Sequence, residues 1–278
     1  MTETTEIRET TEMTRVRSHE RGWFALEADT LDRDDLLRVA TGRCGALVVR
    51  NFLDPAAIAE ALNKANDLEM APYSPEVIFP RVDKTGVALF DFYDDGDLHE
   101  DYWAAAEQAE RERALAFSES GDLLTRVLAK MSAAWGGDAT QARAHGRNLF
   151  AGMKREFAQG ARYHFDDIHR EFPGVLEDEI VQQVAFNLFL EMPSGGGSVH
   201  IAEHPYRPAD EELREGYGYR PEIVEDDTVL TLRPSPGDAV FFAPRNLHAV
   251  DPVEGSGARI TFSFFIGICA DNRLVVWS

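Results

Sequence analysis

Two kinds of hydrophobic pattern divide this chain near residue 147. Before that point, apolar residues recur at the three- and four-residue spacing of amphipathic helices. The clearest stripe is ended by two glycines and consists of Leu123, Leu124, Val127, Leu128 and Met131. The spacing predicts helices over residues 31–40, 54–66, 100–117 and 122–135, with one apolar strand at 45–50.

After residue 147, short runs rich in β-branched and aromatic residues alternate with turn signals. The runs cover residues 149–157, 161–165, 181–191, 198–202, 228–232, 239–242, 260–268 and 274–277. Many short strands after a helical segment predict an α+β chain built on a β-sandwich or barrel. We expect a disordered polar tail at 1–20 and one domain at 21–278, mainly helical over 21–146 and mainly strand over 147–278.

Composition narrows the partners and the compartment. The 278 residues carry a formal net charge of −21 and show no local basic patch, so nucleic acid and anionic membrane surfaces are not expected partners. No run of eighteen apolar residues and no signal-peptide core is present, which predicts a cytoplasmic protein. The two cysteines, Cys44 and Cys269, have no spacing typical of disulfide or zinc frameworks and are expected to be buried free thiols.

A histidine and an aspartate in the second part are spaced for metal binding. His164 and Asp166 are separated by one residue, so on an extended strand both side chains point to the same face. His248 follows a later predicted strand. Two imidazoles and one carboxylate can occupy one face of a ferrous ion and leave three positions open, as in non-heme iron oxygenases. The pattern therefore predicts a metal site formed by His164, Asp166 and His248.

Other readings of these residues remain open. His164 and Asp166 could be a surface strand pair, and His248 a satisfied core histidine. A three-histidine site that uses His200 is also conceivable, but it leaves Asp166 without a role. His169 is expected in a loop past the first metal strand, and His200 could face the substrate pocket.

An arginine follows the second histidine at a suggestive distance. Arg259 lies eleven residues past His248, where it could hold the distal carboxylate of a bound keto acid. Thr261 is two residues further and faces the same way on a strand, so its hydroxyl could touch the same carboxylate. The alternatives are a structural salt bridge for Arg259 and simple packing for Thr261.

The motifs around these residues resemble the iron(II)/2-oxoglutarate-dependent dioxygenases, over roughly residues 150–268. The segments that carry the resemblance occur in family order and are 161–166, 186–197 with its glycine turn, 236–242, 248–250 and Arg259. The resemblance implies a double-stranded β-helix, or jelly roll, with the N-terminal helices supporting one sheet. It also implies Fe(II), 2-oxoglutarate and O2 as cofactors, with Arg259 and Thr261 at the 2-oxoglutarate.

Within that family the chain looks most like standalone bacterial enzymes that hydroxylate or halogenate small molecules. Halogenating relatives carry glycine or alanine where this chain has Asp166, so the resemblance implies hydroxylation with release of succinate and CO2. The expected substrate is a small molecule, an amino-acid derivative or a natural-product intermediate. A peptide or protein hydroxylase and a non-catalytic jelly-roll binding module are the alternatives.

Substrate contacts are the least defined part of the sequence. Residues 73–95 and 204–225 are candidate lids because they are rich in aromatic and polar residues. Arg155 and Arg162, on strands that enter the site, could bind a substrate carboxylate, although salt bridges to the many acidic residues would occupy them equally well. The sequence does not indicate an oligomeric state.

Overall fold

A computed structural model describes residues 22–73, 78–117 and 121–278 of the chain. Within them the α-helices are α1 (Arg33–Ala40), α2 (Pro55–Ala65), α3 (Asp101–Ala116), α4 (Leu123–Trp135) and α5 (Ile168–Glu171). The first four fall within one or two residues of the helices predicted from the hydrophobic spacing. Side-chain caps fix two of their starts, because Asp32 accepts from the Asp34 amide and Asp54 from the Ala57 amide. The predicted tail at 1–20 lies outside the described residues.

The strands of the described residues are short, and only two reach ten residues. In chain order they are β1 (Ala25–Ala28), β2 (Ala46–Val49), β3 (Ala71–Pro72), β4 (Asp83–Lys84), β5 (Tyr93–Asp94), β6 (Asp97–Leu98), β7 (Ala139–Gln141), β8 (Arg143–Ala144), β9 (Arg147–Asn148), β10 (Met153–Glu156), β11 (Ala161–His164), β12 (Ile180–Glu191), β13 (Gly195–Gly196), β14 (Val199–Pro205), β15 (Arg214–Glu215), β16 (Gly218–Tyr219), β17 (Val229–Leu232), β18 (Ala239–Phe242), β19 (Asn246–Val250), β20 (Val253–Glu254), β21 (Ile260–Cys269) and β22 (Leu274–Trp277).

Two mainly antiparallel sheets form the double-stranded β-helix that the sequence predicted. The larger sheet has the order β1-β2-β18-β12-β21-β10-β4-β3, with β22 also on β21 and β7 on β22. The smaller sheet has the order β15-β16-β11-β19-β14-β17. The N-terminal half therefore supplies strands to the large sheet as well as helices. In particular, β2 pairs with β18 along its whole length.

The large sheet has a helix-covered face and a face toward the smaller sheet. On β21, Ile260, Phe262, Phe264 and Ile266 join a buried cluster with residues of α1, α2 and α4. The alternate residues of β21 point to the other face, because successive side chains of a strand leave on opposite sides. The helices thus support one sheet, and the interior of the roll is left for the site.

A buried aspartate ties the N-terminal part of the chain to the roll. Asp238 precedes β18 and is only 3% exposed. Its carboxylate accepts from the Arg50 guanidinium at 2.6 Å and from the backbone amides of Asn51 and Ser235 at 3.1 and 2.9 Å. Hydrogen bonds to a charged group are stronger than neutral ones, so this contact fixes where β2 joins β18.

The cysteines and the hydropathy of the helices were also predicted from the sequence. Cys44 and Cys269 are both buried free thiols, as the sequence predicted. None of the helices in the described part of the chain is both long enough and apolar enough to cross a membrane.

Candidate active site

Three side chains converge at one end of the roll interior. His164 ends β11 and pairs directly with His248 on the neighbouring antiparallel strand β19, so the two imidazole rings lie 4.1 Å apart. Asp166 lies just beyond β11, where its amide donates to the Pro244 carbonyl at 2.9 Å. One ligand atom from each of the three residues lies within 4.8 Å of the others. The structure therefore brings together the three residues that the sequence predicted as a metal site.

The backbone fixes which nitrogen each histidine presents. Nδ1 of His164 lies 2.7 Å from the Arg162 carbonyl, and Nδ1 of His248 lies 3.0 Å from the Asn246 carbonyl. A carbonyl oxygen can only accept, so each Nδ1 carries the proton. Both Nε2 atoms then turn their lone pairs to the site, as metal-binding histidines do.

Asp166 presents one carboxylate oxygen to both imidazoles. Its Oδ2 lies 3.2 Å from Nε2 of His248 and 3.8 Å from Nε2 of His164. Its Oδ1 accepts a hydrogen bond from the hydroxyl of Tyr217. Burial opposes ionisation of Asp166, but the proximity of the two imidazoles and the hydrogen bond from the Tyr217 hydroxyl outweigh it and hold the pKa of the carboxyl below its usual range. Burial and the proximity of His248 lower the pKa of His164 to about 4, which favours its neutral form.

This donor set fits a divalent cation. With both Nδ1 atoms donating to carbonyls, two lone pairs and a carboxylate oxygen face one another at close range. Either extra protons or a cation must lie between them, and the low pKa of His164 disfavours the extra proton on that ring. Two neutral imidazoles and one carboxylate are the ligand set of Fe(II) in facial triads. The residues present therefore fit a ferrous ion without any rearrangement of their hydrogen bonds.

Arg259 lies in the same cavity as His164, Asp166 and His248. It immediately precedes β21 and is 2% exposed, and burial lowers the pKa of its guanidinium to about 9. Its Nε donates to the Gly197 carbonyl at 2.9 Å, and its Nη1 has no hydrogen-bond partner in the part of the chain that the structure describes. A buried cation without an anion is costly. The guanidinium therefore fits the distal carboxylate of 2-oxoglutarate.

The glycine turn explains how Arg259 is positioned. Gly196 and Gly197 have φ of +66° and +70°, which side chains rarely tolerate. A Cβ on Gly197 would lie 3.3 Å from Cδ of Arg259, and one on Gly196 would lie 2.0 Å from the Pro252 carbonyl. Because the turn carries no side chains at Gly196 and Gly197, its backbone can approach Arg259 closely and accept the hydrogen bond from Nε. The rings of Phe157 and Phe189 pack on the guanidinium, with their centroids 4.8 and 5.1 Å from Cζ.

Thr261 is fully buried, and its hydroxyl has no hydrogen-bond partner within residues 22–73, 78–117 and 121–278. The buried hydroxyl of Ser263 also has no hydrogen-bond partner in that part of the chain. Ser263, and not Thr261, lines the cavity that contains His248 and Arg259. The predicted contact of Thr261 with the keto acid stays a prediction, and Ser263 joins it as a residue that the sequence did not single out.

A second cavity adjoins the first and opens toward the predicted lids. Both cavities are lined by His164, Asp166 and Arg155. The second one adds residues from both candidate lids, namely Tyr73, Leu89, Phe90, Tyr217 and Gly218. It also adds Glu171, whose carboxyl has its pKa raised to about 8 by burial first and by the charge of Asp166 second. This cavity is where a substrate can lie beside the metal site.

The alternative histidines are placed elsewhere. His200 contacts Thr231 at 3.0 Å and Asp251 at 2.8 Å, and it lines a separate cleft that contains neither Asp166 nor His248. The structure therefore does not support the three-histidine site or a place for His200 in the substrate pocket. His169 lies on α5 instead of in a loop, because Asp167 caps that helix, and its Nε2 contacts the Ile180 carbonyl at 3.0 Å.

Sequence reasoning missed the direct role of Tyr217. It lies in the turn between β15 and β16, and β16 pairs with the first metal strand β11. Its ring packs on His164 with centroids 5.2 Å apart and on Phe90 with centroids 5.4 Å apart. Burial and the negative charge of Asp166 raise the pKa of its phenol, so it stays protonated and donates. Only the aromatic content of residues 204–225 hinted at such a contact.

Known proteins resemble this chain both in sequence and in fold. The chain is 35% identical over 264 residues to L-gamma-glutamyl-L-propargylglycine hydroxylase of Streptantibioticus cattleyicolor, which covers 94% of this chain and 98% of that protein. A novel N-substituted L-amino acid dioxygenase from Burkholderia ambifaria AMMD shares the fold with a TM-score of 0.58 at 15% identity, over 88% of this chain and 91% of that one. The same enzyme in complex with alpha-KG gives a TM-score of 0.55 at 16% identity, over 87% of this chain and 90% of that one.

The similarity to iron(II)/2-oxoglutarate oxygenases inferred from the motifs is confirmed by these relatives. A family model, the carrier-protein-independent halogenase WelO5, matches residues 22–278, which includes all three candidate metal ligands and Arg259. The chain belongs to the carrier-protein-independent halogenase WelO5 family.

Proposed function

We propose that this protein is an Fe(II)/2-oxoglutarate-dependent hydroxylase of a small amino-acid compound. The observation that carries the proposal is the convergence of two histidine Nε2 atoms and one oxygen of Asp166, next to a buried arginine that has no counter-ion among the described residues. With O2 as the oxidant, the bound iron and 2-oxoglutarate would supply the chemistry that cleaves an unactivated C–H bond. One oxygen atom would go to the substrate and the other to succinate, with release of CO2. The protein's own residues bind, orient and exclude water.

Each of the named residues has a separate task in this proposal. His164, Asp166 and His248 hold the iron on one side and leave the opposite side open. Arg259 holds the distal carboxylate of 2-oxoglutarate, and Thr261 contacts the same group. Tyr217 donates to Oδ1 of Asp166 and so leaves Oδ2 as the oxygen that faces the imidazoles. The aromatic rings of the second cavity keep water away from the open side.

The presence of Asp166 supports hydroxylation, although the family model is named for a halogenase. The resemblance stated above implies that halogenating relatives carry glycine or alanine at this position, which leaves room for a halide. Here the carboxylate is present, buried and hydrogen-bonded by Tyr217. The 35% identical relative is likewise named a hydroxylase. Halogenation is the second candidate, and only the family name favours it.

The names of two relatives support an amino-acid substrate. The Streptantibioticus cattleyicolor hydroxylase is named for a γ-glutamyl amino acid, and the Burkholderia ambifaria dioxygenase is named for N-substituted L-amino acids. The second cavity is lined by residues of both candidate lids, which suits a compound of a few hundred daltons better than a polypeptide. We therefore place the substrate among amino acids and their N-linked derivatives.

The test is turnover of a compound panel by the purified, anaerobically iron-loaded enzyme. Free amino acids, γ-glutamyl dipeptides and N-acyl amino acids are each incubated with 2-oxoglutarate, chloride and O2. We expect one class to stimulate succinate formation and to gain one oxygen, with label from 18O2. A chlorinated product would overturn hydroxylation in favour of halogenation. Stimulation by polypeptides alone would overturn the substrate class.

A further inference from the structure

Two ionisable side chains in the second cavity have no charged partner within the described residues. Arg155, on β10, forms no ion pair there, and its Nε is buried without a hydrogen-bond partner. Glu171, the last residue of α5, forms no ion pair among those residues either, and its Oε2 accepts only from the Asp167 amide at 3.1 Å. Burial without a partner disfavours the charged form of such groups, so a ligand that brings the opposite charge would stabilise the charged form of each.

We propose that Arg155 and Glu171 together recognise a zwitterion, with Arg155 holding a carboxylate and Glu171 holding an ammonium group of the substrate. The inference rests on the proposed function and narrows its substrate class to compounds with a free ammonium, a free carboxylate and an apolar part. Rings of Tyr73, Phe90, Phe172, Phe265 and Trp277 line the same cavity and provide the apolar contact.

The neighbouring arginine shows why Arg155 is the one assigned. Arg162 lines the same cavity, but its guanidinium lies 3.0 Å from Glu215 and it packs over Phe79, which is 65% exposed. Its charge is already compensated at the surface. Arg155 lines both this cavity and the one that contains Arg259, so it lies between the expected keto acid and the substrate. The 2-oxoglutarate carboxylate has Arg259, which leaves Arg155 for a second anion.

Glu171 is likewise distinguished from the other acids near the site. Asp166 faces the two imidazoles, and Asp167 is bound by Arg245 at 2.9 Å. Glu211, on the outer side, is bound by Arg170 and accepts from Tyr219. Among the described acids around these cavities, Glu171 is the one that combines burial with the lack of a cation. An ammonium group of the ligand is the natural counter-ion.

The experiment measures binding without turnover. Wild-type enzyme loaded with Fe(II) and 2-oxoglutarate under anaerobic conditions is titrated with L-norvaline, γ-L-glutamyl-L-norvaline, N-acetyl-L-norvaline and L-norvalinamide, and with the same set built on L-norleucine. Quenching of tryptophan fluorescence and calorimetry report binding, since Trp277 lines the cavity. We expect the zwitterions to bind roughly ten- to hundredfold more tightly than the N-acetyl and amide forms.

Single substitutions test separately whether Glu171 binds the ammonium group and whether Arg155 binds the carboxylate. Glu171→Gln should remove the preference for the free ammonium over the N-acetyl form and keep the preference for carboxylate over amide. Arg155→Gln should do the reverse. Arg162→Gln and Glu179→Gln, which change an ion-paired arginine and an exposed acid, should keep both preferences. Circular dichroism and the melting temperature confirm that each variant is folded.

Several results would overturn the assignment. Equal binding of the zwitterions and their capped forms would do so, as would no binding of any zwitterion at millimolar concentration. A third is a raised 2-oxoglutarate requirement in Arg155→Gln with unchanged ligand preferences, since the arginine would then serve the keto acid. These results are distinct from failure of the proposed function, because an enzyme that chlorinates a zwitterion keeps this inference and loses that one.

Discussion

The two faces of strand β21 have opposite characters although they alternate along the same ten residues. On the helix side, Ile260, Phe262, Phe264 and Ile266 are apolar and buried in one cluster. On the interior side, the described residues offer no hydrogen-bond partner to the buried hydroxyls of Thr261 and Ser263 or to Nη1 of Arg259, just ahead of the strand. The apolar side chains of one face are fully packed by the helices. The other face presents buried polar atoms that a bound ligand would satisfy.

The contrast indicates where stability and where function are encoded. A buried polar group left without a hydrogen bond costs about 1–3 kcal/mol. Three such groups on one face are tolerable because the helix-side core is well packed. We expect substitutions on the interior face to change ligand requirements with little loss of stability, and substitutions on the helix side to do the opposite.

The largest effect is expected for Asp166→Ala. Removing the only carboxylate among the three converging ligands leaves two neutral imidazoles, so in chloride-free buffer the ferrous ion has no anionic ligand in that position. Substrate-dependent succinate release should fall to background, with the fold unchanged by circular dichroism. Asp226→Ala, at an exposed acid, is the control and should behave as wild type. Wild-type rates in Asp166→Ala would refute the facial-triad assignment.

The next effect concerns iron content. His248→Ala should lose stoichiometric Fe(II), because His248 supplies one of the three ligand atoms. His169→Ala and His200→Ala should keep it, since both side chains contact groups outside the cluster. Metal analysis after anaerobic loading measures this directly. Iron lost from His200→Ala and retained by His248→Ala would reverse the choice between the two histidines.

On the helix side, Ile266→Ala tests the other half of the comparison. Ile266 is fully buried among the residues that contact the helices. Truncation should cost about 2–5 kcal/mol of the free energy of unfolding, measured by denaturant titration. The 2-oxoglutarate requirement of the folded variant should stay within twofold of wild type. A large change in that requirement with little loss of stability would break the division between the two faces.

The sequence predicted most of this division, but not the contacts across it. The residue types in 260–268 predicted the strand, and the two-residue spacing placed Arg259 and Thr261 on one face of it. The helical spacing predicted the helices that the structure packs on the other face. The spacing of His164 and Asp166 placed them together because it depends only on local geometry. Arg259 was identified by its distance from His248 and by family resemblance.

What the sequence could not give depends on strand register and on loops. His248 faces His164 because β19 pairs with β11, a contact between residues 84 positions apart that no local pattern encodes. Tyr217 reaches Asp166 from a two-strand turn, and Arg155 and Glu171 differ from neighbouring charged residues only by lacking partners. These contacts depend on tertiary packing. The sequence therefore indicated the segments that carry such residues but not the partners that the residues contact or lack.

Arg259→Ala should raise the 2-oxoglutarate requirement sharply and leave Fe(II) binding nearly intact. A charge-assisted contact to a carboxylate contributes about 1.5–3 kcal/mol, or roughly ten- to hundredfold in affinity. The apparent affinity from succinate formation, with iron content measured in parallel, separates the two properties. Arg233→Ala, which removes an arginine bonded to the same glycine turn at the Gly196 and Pro193 carbonyls, is the control. An unchanged requirement in Arg259→Ala would make that arginine structural.

The smallest effect is expected for Thr261→Val, which keeps the shape of the side chain and removes its hydroxyl. If the hydroxyl contacts the keto acid, the 2-oxoglutarate requirement rises about two- to tenfold, the equivalent of one neutral hydrogen bond. Stability should hold or increase, because the hydroxyl has no partner among the described residues. Ser263→Ala provides the comparison on the same face. A rise in stability with no change in the 2-oxoglutarate requirement would assign Thr261 to packing and leave Ser263 as the hydroxyl that faces the cavity.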